Sequence, residues 1–325
     1  MIMKNTLIFF CLTFTVLTNS RVFGQATNLP AQFGPHLWTA TVKVVGEDGN
    51  PIAGAAVSAQ YDVPTPPNSD QQTFGEVKGV TDSNGVSILS HTDSSWNLGI
   101  GVENAGYYPT HVGYEFYFDE KRQNPSFTLL LKKIGKPIPM YAKLISSEPS
   151  IFKKWGRPPI SFTNTAGYDF MAGDWIAPCG KGGHTDIVFI EEYNKKSSSD
   201  IFYKLTVKFP NDGDGIQVFS APALIQNATM GQSNLRSLHE APADGYQSEF
   251  VQTRGPDLNR NYYFRVQTVK DHDGNIVSAH YGKIYGDFMQ FSYYLNPTPN
   301  DRNIEFDPKQ NLIHSADDNL NVSAP

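Results

Sequence analysis

The densest gathering of chemically capable side chains in the 325-residue chain is Gly173-Asp174-Trp175-Ile176-Ala177-Pro178-Cys179-Gly180-Lys181-Gly182-Gly183-His184-Thr185-Asp186. A thiol, an imidazole, an ammonium and two carboxylates stand among glycines, the residue that lets backbone approach a ligand closely. Two uses fit this mixture. Cys179 and His184, five residues apart, could meet as nucleophile and base, because a thiolate needs a neighbouring base and an electropositive surrounding. With Asp174 they define a hydrolase reading. In the other the stretch is non-catalytic, either a loop that merely caps a sheet or a binding surface to which Trp175, Asp174, Lys181 and His184 contribute together with Trp155. The stretch lacks the spacing and terminal Ser or Thr of a phosphate-cradling loop, and Cys179 has no second cysteine with which to hold zinc.

Elsewhere the signals are sparser. Asn211-Asp212-Gly213-Asp214-Gly215 has the oxygen-rich composition of a cation loop, with Asp212 and Asp214 as candidate ligands, but it departs from the EF-hand pattern and also reads as a turn. The eight histidines form no HExxH, HxxE or HxH, and no GxSxG occurs. No cofactor is implied. Aromatic residues at Trp155, at Trp175 and from Tyr281 to Tyr294 are candidate platforms for a polysaccharide or a cell-surface protein.

These side chains must be positioned by strands. Trp38, Ala40, Val42 and Val44 share one face of an alternating run, and Ala55, Val57, Ala59 and Tyr61 repeat the pattern after Gly46-Glu47-Asp48-Gly49-Asn50-Pro51, as period-2 geometry requires of half-buried strands. A further turn, Asp82-Ser83-Asn84-Gly85, precedes Val86-Ser87-Ile88-Leu89. Trp96, Leu98, Ile100 and Val102 alternate with Gly99 and Gly101 opposite, where another backbone could approach or the sheet could bend. Together with Gly106-Tyr107 after that strand, Thr41 to Leu89 resembles the carboxypeptidase-regulatory-like, or transthyretin-like, module. The resemblance covers the first third of the chain. It implies a seven-stranded prealbumin-like β-sandwich and no reaction, since the zinc ligands of the peptidases that often carry such a module are missing.

Gly135-Lys136-Pro137-Ile138-Pro139 is a stiff crossing, because each proline restrains itself and its predecessor. Beyond it Ile201, Tyr203, Leu205, Val207 and Phe209 alternate, as do Tyr262, Phe264 and Val266. No window sustains helical periodicity. The expectation is an all-β chain with a leader over 1–26, a first sandwich over 36–135, a crossing over 136–160, a second β-rich domain, sandwich or jelly-roll-like, over 161–314, and a disordered tail over 315–325.

Composition narrows the rest. A net charge of −6 with no basic stripe argues against nucleic acid, which is held through phosphate neutralisation. Lys4, the apolar run Leu7 to Leu17 and Gly24-Gln25-Ala26 have the three-part form of a signal peptide, so a mature, secreted chain starting at Thr27 is expected, with no transmembrane span. Cleavage there leaves Cys179 alone, which excludes an internal disulfide and points to bacterial export.

Overall fold

The structure, a computed structural model, describes residues 35–63, 73–95, 97–116, 124–146, 165–195, 201–221, 232–253, 260–288, 290–314 and 321–325. The expected leader, most of the crossing beyond Ser146, Trp96 and Trp155 lie outside the described residues. Among the described residues there are nineteen strands and no α-helix, so the chain is all-β.

Seven strands make the first sandwich: β1 (His36–Gly46), β2 (Ala56–Val63), β3 (Thr73–Val80), β4 (Val86–Asp93), β5 (Asn97–Glu103), β6 (Thr110–Glu115) and β7 (Ser126–Leu131). One sheet has the order β4-β1-β7, with β1 antiparallel to β4 and parallel to β7. The other runs β6-β5-β2-β3, antiparallel throughout. Trp38, Ala40, Val42 and Val44, all 0% exposed, enter one core with Val57, Ile100, Val102 and Leu129. Each large side chain buried there stabilises by about 1.5–3 kcal/mol. Gly85 is required at its turn: its φ is 72°, and a Cβ would lie 2.5 Å from the Val44 carbonyl oxygen. Of the two readings for Gly101, the close approach of another backbone is corrected, because what closes over it is side chain. A Cβ would meet Ser58 Oγ at 3.2 Å and His111 Nδ1 at 3.3 Å, from the two flanking strands.

The second body is also two sheets. Its five-stranded sheet, in the order β10-β9-β11-β12-β15, comprises β9 (Thr165–Asp169), β10 (Asp174–Trp175), β11 (Ile187–Lys195), β12 (Ile201–Lys208) and β15 (Glu249–Gln252). The six-stranded sheet, in the order β13-β16-β17-β18-β8-β19, comprises β8 (Ile138–Ser146), β13 (Gly215–Ser220), β16 (Arg260–Lys270), β17 (Ile276–Asp287), β18 (Gln290–Leu295) and β19 (Phe306–Asn311). Tyr262, Phe264, Ile284, Phe291 and Tyr293 pack with Phe170, Phe189 and Val207 between the sheets. The alternate residues Tyr263, Tyr281, Tyr285 and Tyr294 form a second core on the opposite face with Ile304, Phe306 and Val322. The six-stranded sheet is thus covered on both sides. The aromatic run from Tyr281 to Tyr294, a candidate exposed platform by sequence, is divided between two cores.

The two sandwiches interlock. The short strand β14 (Gln232–Ser233), from the second body, pairs with His111 and Thr110 of β6 and becomes the fifth strand of the first body's larger sheet. At the crossing, Glu305, 3% exposed, accepts hydrogen bonds from the Tyr108 hydroxyl at 2.8 Å and the Gly135 amide at 3.0 Å, and lies 2.6 Å from His239 Nδ1. His239 Nε2 is 3.2 Å from Glu47 of the first body. Residues 321–325 depart from the expected loose tail: Val322 is buried, and the Ala324 carbonyl accepts a hydrogen bond from Tyr294.

Candidate functional site

The Gly173–Asp186 stretch leaves β9, forms β10 and winds back to β11. Its carboxylates hold the winding together. Asp174 accepts from its own neighbour Trp175 N–H at 2.8 Å and from Lys181 N–H at 2.9 Å. Asp169, just upstream, accepts from Ala172, Gly183 and His184 amides. Backbone folds on backbone at Gly180, where a Cβ would come within 2.3 Å of the Trp175 carbonyl oxygen, so this glycine answers to the loop itself rather than to a ligand. Lys181 is exposed. Trp175 is half-buried, edge-on to Tyr168 at 5.1 Å and to Phe189 at 5.9 Å, and so belongs to the core margin rather than to an open platform.

Cys179 is exposed and free, and no hydrogen bond joins it to His184 among the described residues. The imidazole is directed to Asp186 instead, with Nε2 3.6 Å from Oδ1. Asp186 is wholly buried and accepts from Phe170 N–H at 2.8 Å and Gln267 Nε2 at 3.0 Å. Burial pushes its carboxyl up to about 6, against the opposing pull of those donors and of His184. Gln267, at a bulge in β16 with φ 55°, also donates its amide to Asp214 at 3.0 Å. Asp214 takes a second amide from Thr268 at 2.8 Å, while Asp212 pairs with Lys270 at 2.9 Å. The two aspartates therefore do not converge on a cation: one seats the bulge and the other stands in solvent.

A different site was not legible in the sequence. A pocket of about 310 Å³ opens where the sandwiches meet, lined by His111, Ser233, Asn234, Arg236, Tyr285 and Tyr294, with residues 321–324 along one side. β6 and β14 bring His111 and Ser233 together, and β17 and β18 supply the two tyrosines. Ser233 is 7% exposed, and its Oγ is buried without a hydrogen-bond partner. The Tyr285 hydroxyl accepts the amides of Arg236 at 3.1 Å and Ser237 at 3.2 Å, which holds the Arg236 segment over the ring, its guanidinium 5.2 Å from the centroid. Beneath both rings lies Lys283, 0% exposed, with Nζ 4.9 Å from each centroid and no hydrogen bond. Burial lowers the Lys283 ammonium below its ordinary range, opposed by Tyr285. For Tyr285, burial alone would raise the phenol, but Lys283 and Ser237 outweigh it and hold it low. The alternation Tyr281-x-Lys283-x-Tyr285 was the available signal, a lysine among tyrosines on one strand face.

No protein-family model matches this chain, and no curated protein does. Among solved structures, a streptococcal ancillary pilin aligns over 78% of the chain and 60% of its own length, at 13% identity and a TM-score of 0.20. A shaft pilin from Lactobacillus rhamnosus GG aligns over 73% and 89%, at 11% identity and 0.21. A 9R-lipoxygenase from Cyanothece aligns over 71% and 44%, at 14% identity and 0.20. Superpositions this loose transfer no role.

Proposed function

We propose that this chain is an exported, non-catalytic binding protein that holds a polysaccharide or another surface glycan in the pocket between its sandwiches. In this reading the first sandwich is a module of the carboxypeptidase-regulatory-like kind, used as scaffold. One observation carries the proposal. The pocket presents hydrogen-bonding groups without a catalytic pairing: Ser233 Oγ is unpartnered although His111 lines the same pocket, and no carboxylate among the described residues lines it to orient an imidazole. The alternative, a hydrolase around Asp174, Cys179 and His184, requires groups that are engaged elsewhere, since Asp174 holds amides and His184 faces Asp186.

The purified mature protein, offered a panel of polysaccharides together with hydrolase substrates, is expected to bind without turnover. Turnover that disappears in Cys179→Ser or His184→Ala would reverse the reading in favour of the hydrolase. A cell-surface protein is the other partner class that export allows. Retention on immobilised glycan, set against retention on protease-treated and untreated cells, separates the two.

A further inference from the structure

Resting on that reading, we infer that the pocket is built for an anionic sugar residue, a ring bearing a carboxylate or a sulfate. The protein carries a net charge of −6, yet no Asp or Glu among the described residues lines this pocket. Arg236 contributes a guanidinium that lies over the Tyr285 face, with no carboxylate paired to it among the described residues. Behind the two tyrosine rings Lys283 has no hydrogen-bond acceptor. Lys132, nearby, directs Nζ to the backbone carbonyls of Ser237 at 2.7 Å and Arg236 at 3.4 Å rather than to an acid. Two acids that act on these lysines are occupied: Glu305 serves Tyr108, Gly135 and His239, and Glu47 serves His239.

A guanidinium in a pocket that no carboxylate among the described residues lines is held at a cost in a low-dielectric surrounding. The cost falls when an oxyanion docks, because a concave, partly dry site screens the attraction poorly. The remaining groups match a sugar ring. Ser233 and Asn234 supply polar groups for sugar hydroxyls, and a volume near 310 Å³ sits at the small end of ligand sites, about the size of a single residue of a longer chain.

The test is isothermal titration of the full mature protein with three short oligosaccharides, a uronate, a sulfated and a neutral one, and with inorganic sulfate. The expected result is that one acidic oligosaccharide binds at least about tenfold tighter than the neutral one, an increment typical of a charge-assisted hydrogen bond, and that added salt erodes the difference. Whichever acidic arm wins identifies the oxyanion. Inorganic sulfate should compete weakly, lacking the ring. Arg236→Gln should abolish the preference for the acidic arm while leaving neutral binding in place, and Lys283→Met should reduce the preference without lowering the melting temperature, since it removes a buried unpaired amine. If Lys283→Met does not fold, the part-exposed Arg236→Gln decides. Equal binding of neutral and acidic sugars would overturn the inference about charge while the binding function stands. An acidic preference that survives Arg236→Gln would remove it from this pocket. No binding of any oligosaccharide would overturn both.

Discussion

Asp186 shows what burial does to a single carboxyl. With its value raised to about 6, the protonated form is favoured in the folded protein. Its stabilisation is therefore complete below about pH 4 and is lost as pH rises through 6, on the order of 2–3 kcal/mol. Asp186→Asn can keep its bond to Gln267 if that amide turns over, and should flatten the melting temperature between pH 4 and 7. A variant with the wild-type slope would dismiss the assignment. Glu305 acts in the opposite sense. Burial raises its carboxyl, but Tyr108, His239 and the Gly135 amide together hold it below the ordinary range, so its contribution is present above about pH 4.5 and fades in acid. Trp175→Ala should cost about 2–3 kcal/mol in urea unfolding, because the ring is edge-on to Tyr168 and Phe189, and should leave glycan affinity unchanged. Cys179→Ser, at an exposed position, should change neither stability nor binding measurably.

At the scale of elements, the first sandwich closes its own core but not its own sheet edge. β6 would present unpaired amides and carbonyls without β14. A fragment spanning residues 34–136 should fold cooperatively, because Trp38 through Leu131 form one cluster, yet melt below the same sandwich in the intact chain. A broad, non-cooperative transition by calorimetry would show that β14 is indispensable. The β16–β17–β18 run behaves differently from a half-solvated sheet: both faces are covered, so β16 reads as near-continuous burial from Asn261 to Val266. Replacing Tyr263 or Tyr285 by a charged residue there should be as damaging as replacing Phe264.

Across the whole molecule, Glu305 ties the crossing to both bodies. Glu305→Ala leaves Tyr108 and Gly135 without this acceptor and should cost about 2–3 kcal/mol, since hydrogen bonds to a charged group exceed neutral ones and Tyr108 stays buried. In a calorimeter it should also separate one transition into two. A single unshifted peak would mean that the bodies are coupled elsewhere, through β14. Export is the remaining expectation at this scale, checked by mass spectrometry of the released protein, with Thr27 as the first residue. Retention of Met1 would remove the argument from a single remaining cysteine.

Local order was legible from residues alone. Period-2 runs such as Trp38 to Val44 and Leu98 to Val102 report which side chains share a face, and Asp82 to Gly85 reports a turn through a positive φ that only glycine adopts readily. The prevalence of strands and the absence of helical periodicity followed from the same signals. What alternation cannot report is whether the opposite face is covered, so the tyrosines of β17 and β18 read as a surface until the segments around Ile304 and Val322 are seen packed on them. Nor do two residues such as Gln232 and Ser233 carry a strand signal of their own, since their pairing is supplied by β6. The pocket joins His111, the Ser233–Arg236 segment, and Tyr285 and Tyr294 of the β17–β18 pair, three places far apart in the chain. Conversely, the Gly173–Asp186 groups, adjacent in sequence and suggestive for that reason, are held by amides of their own loop. Proximity along a chain is fixed by covalent bonds, whereas a site is assembled by sheet pairing and burial, and only the folded molecule decides which charges end without a partner.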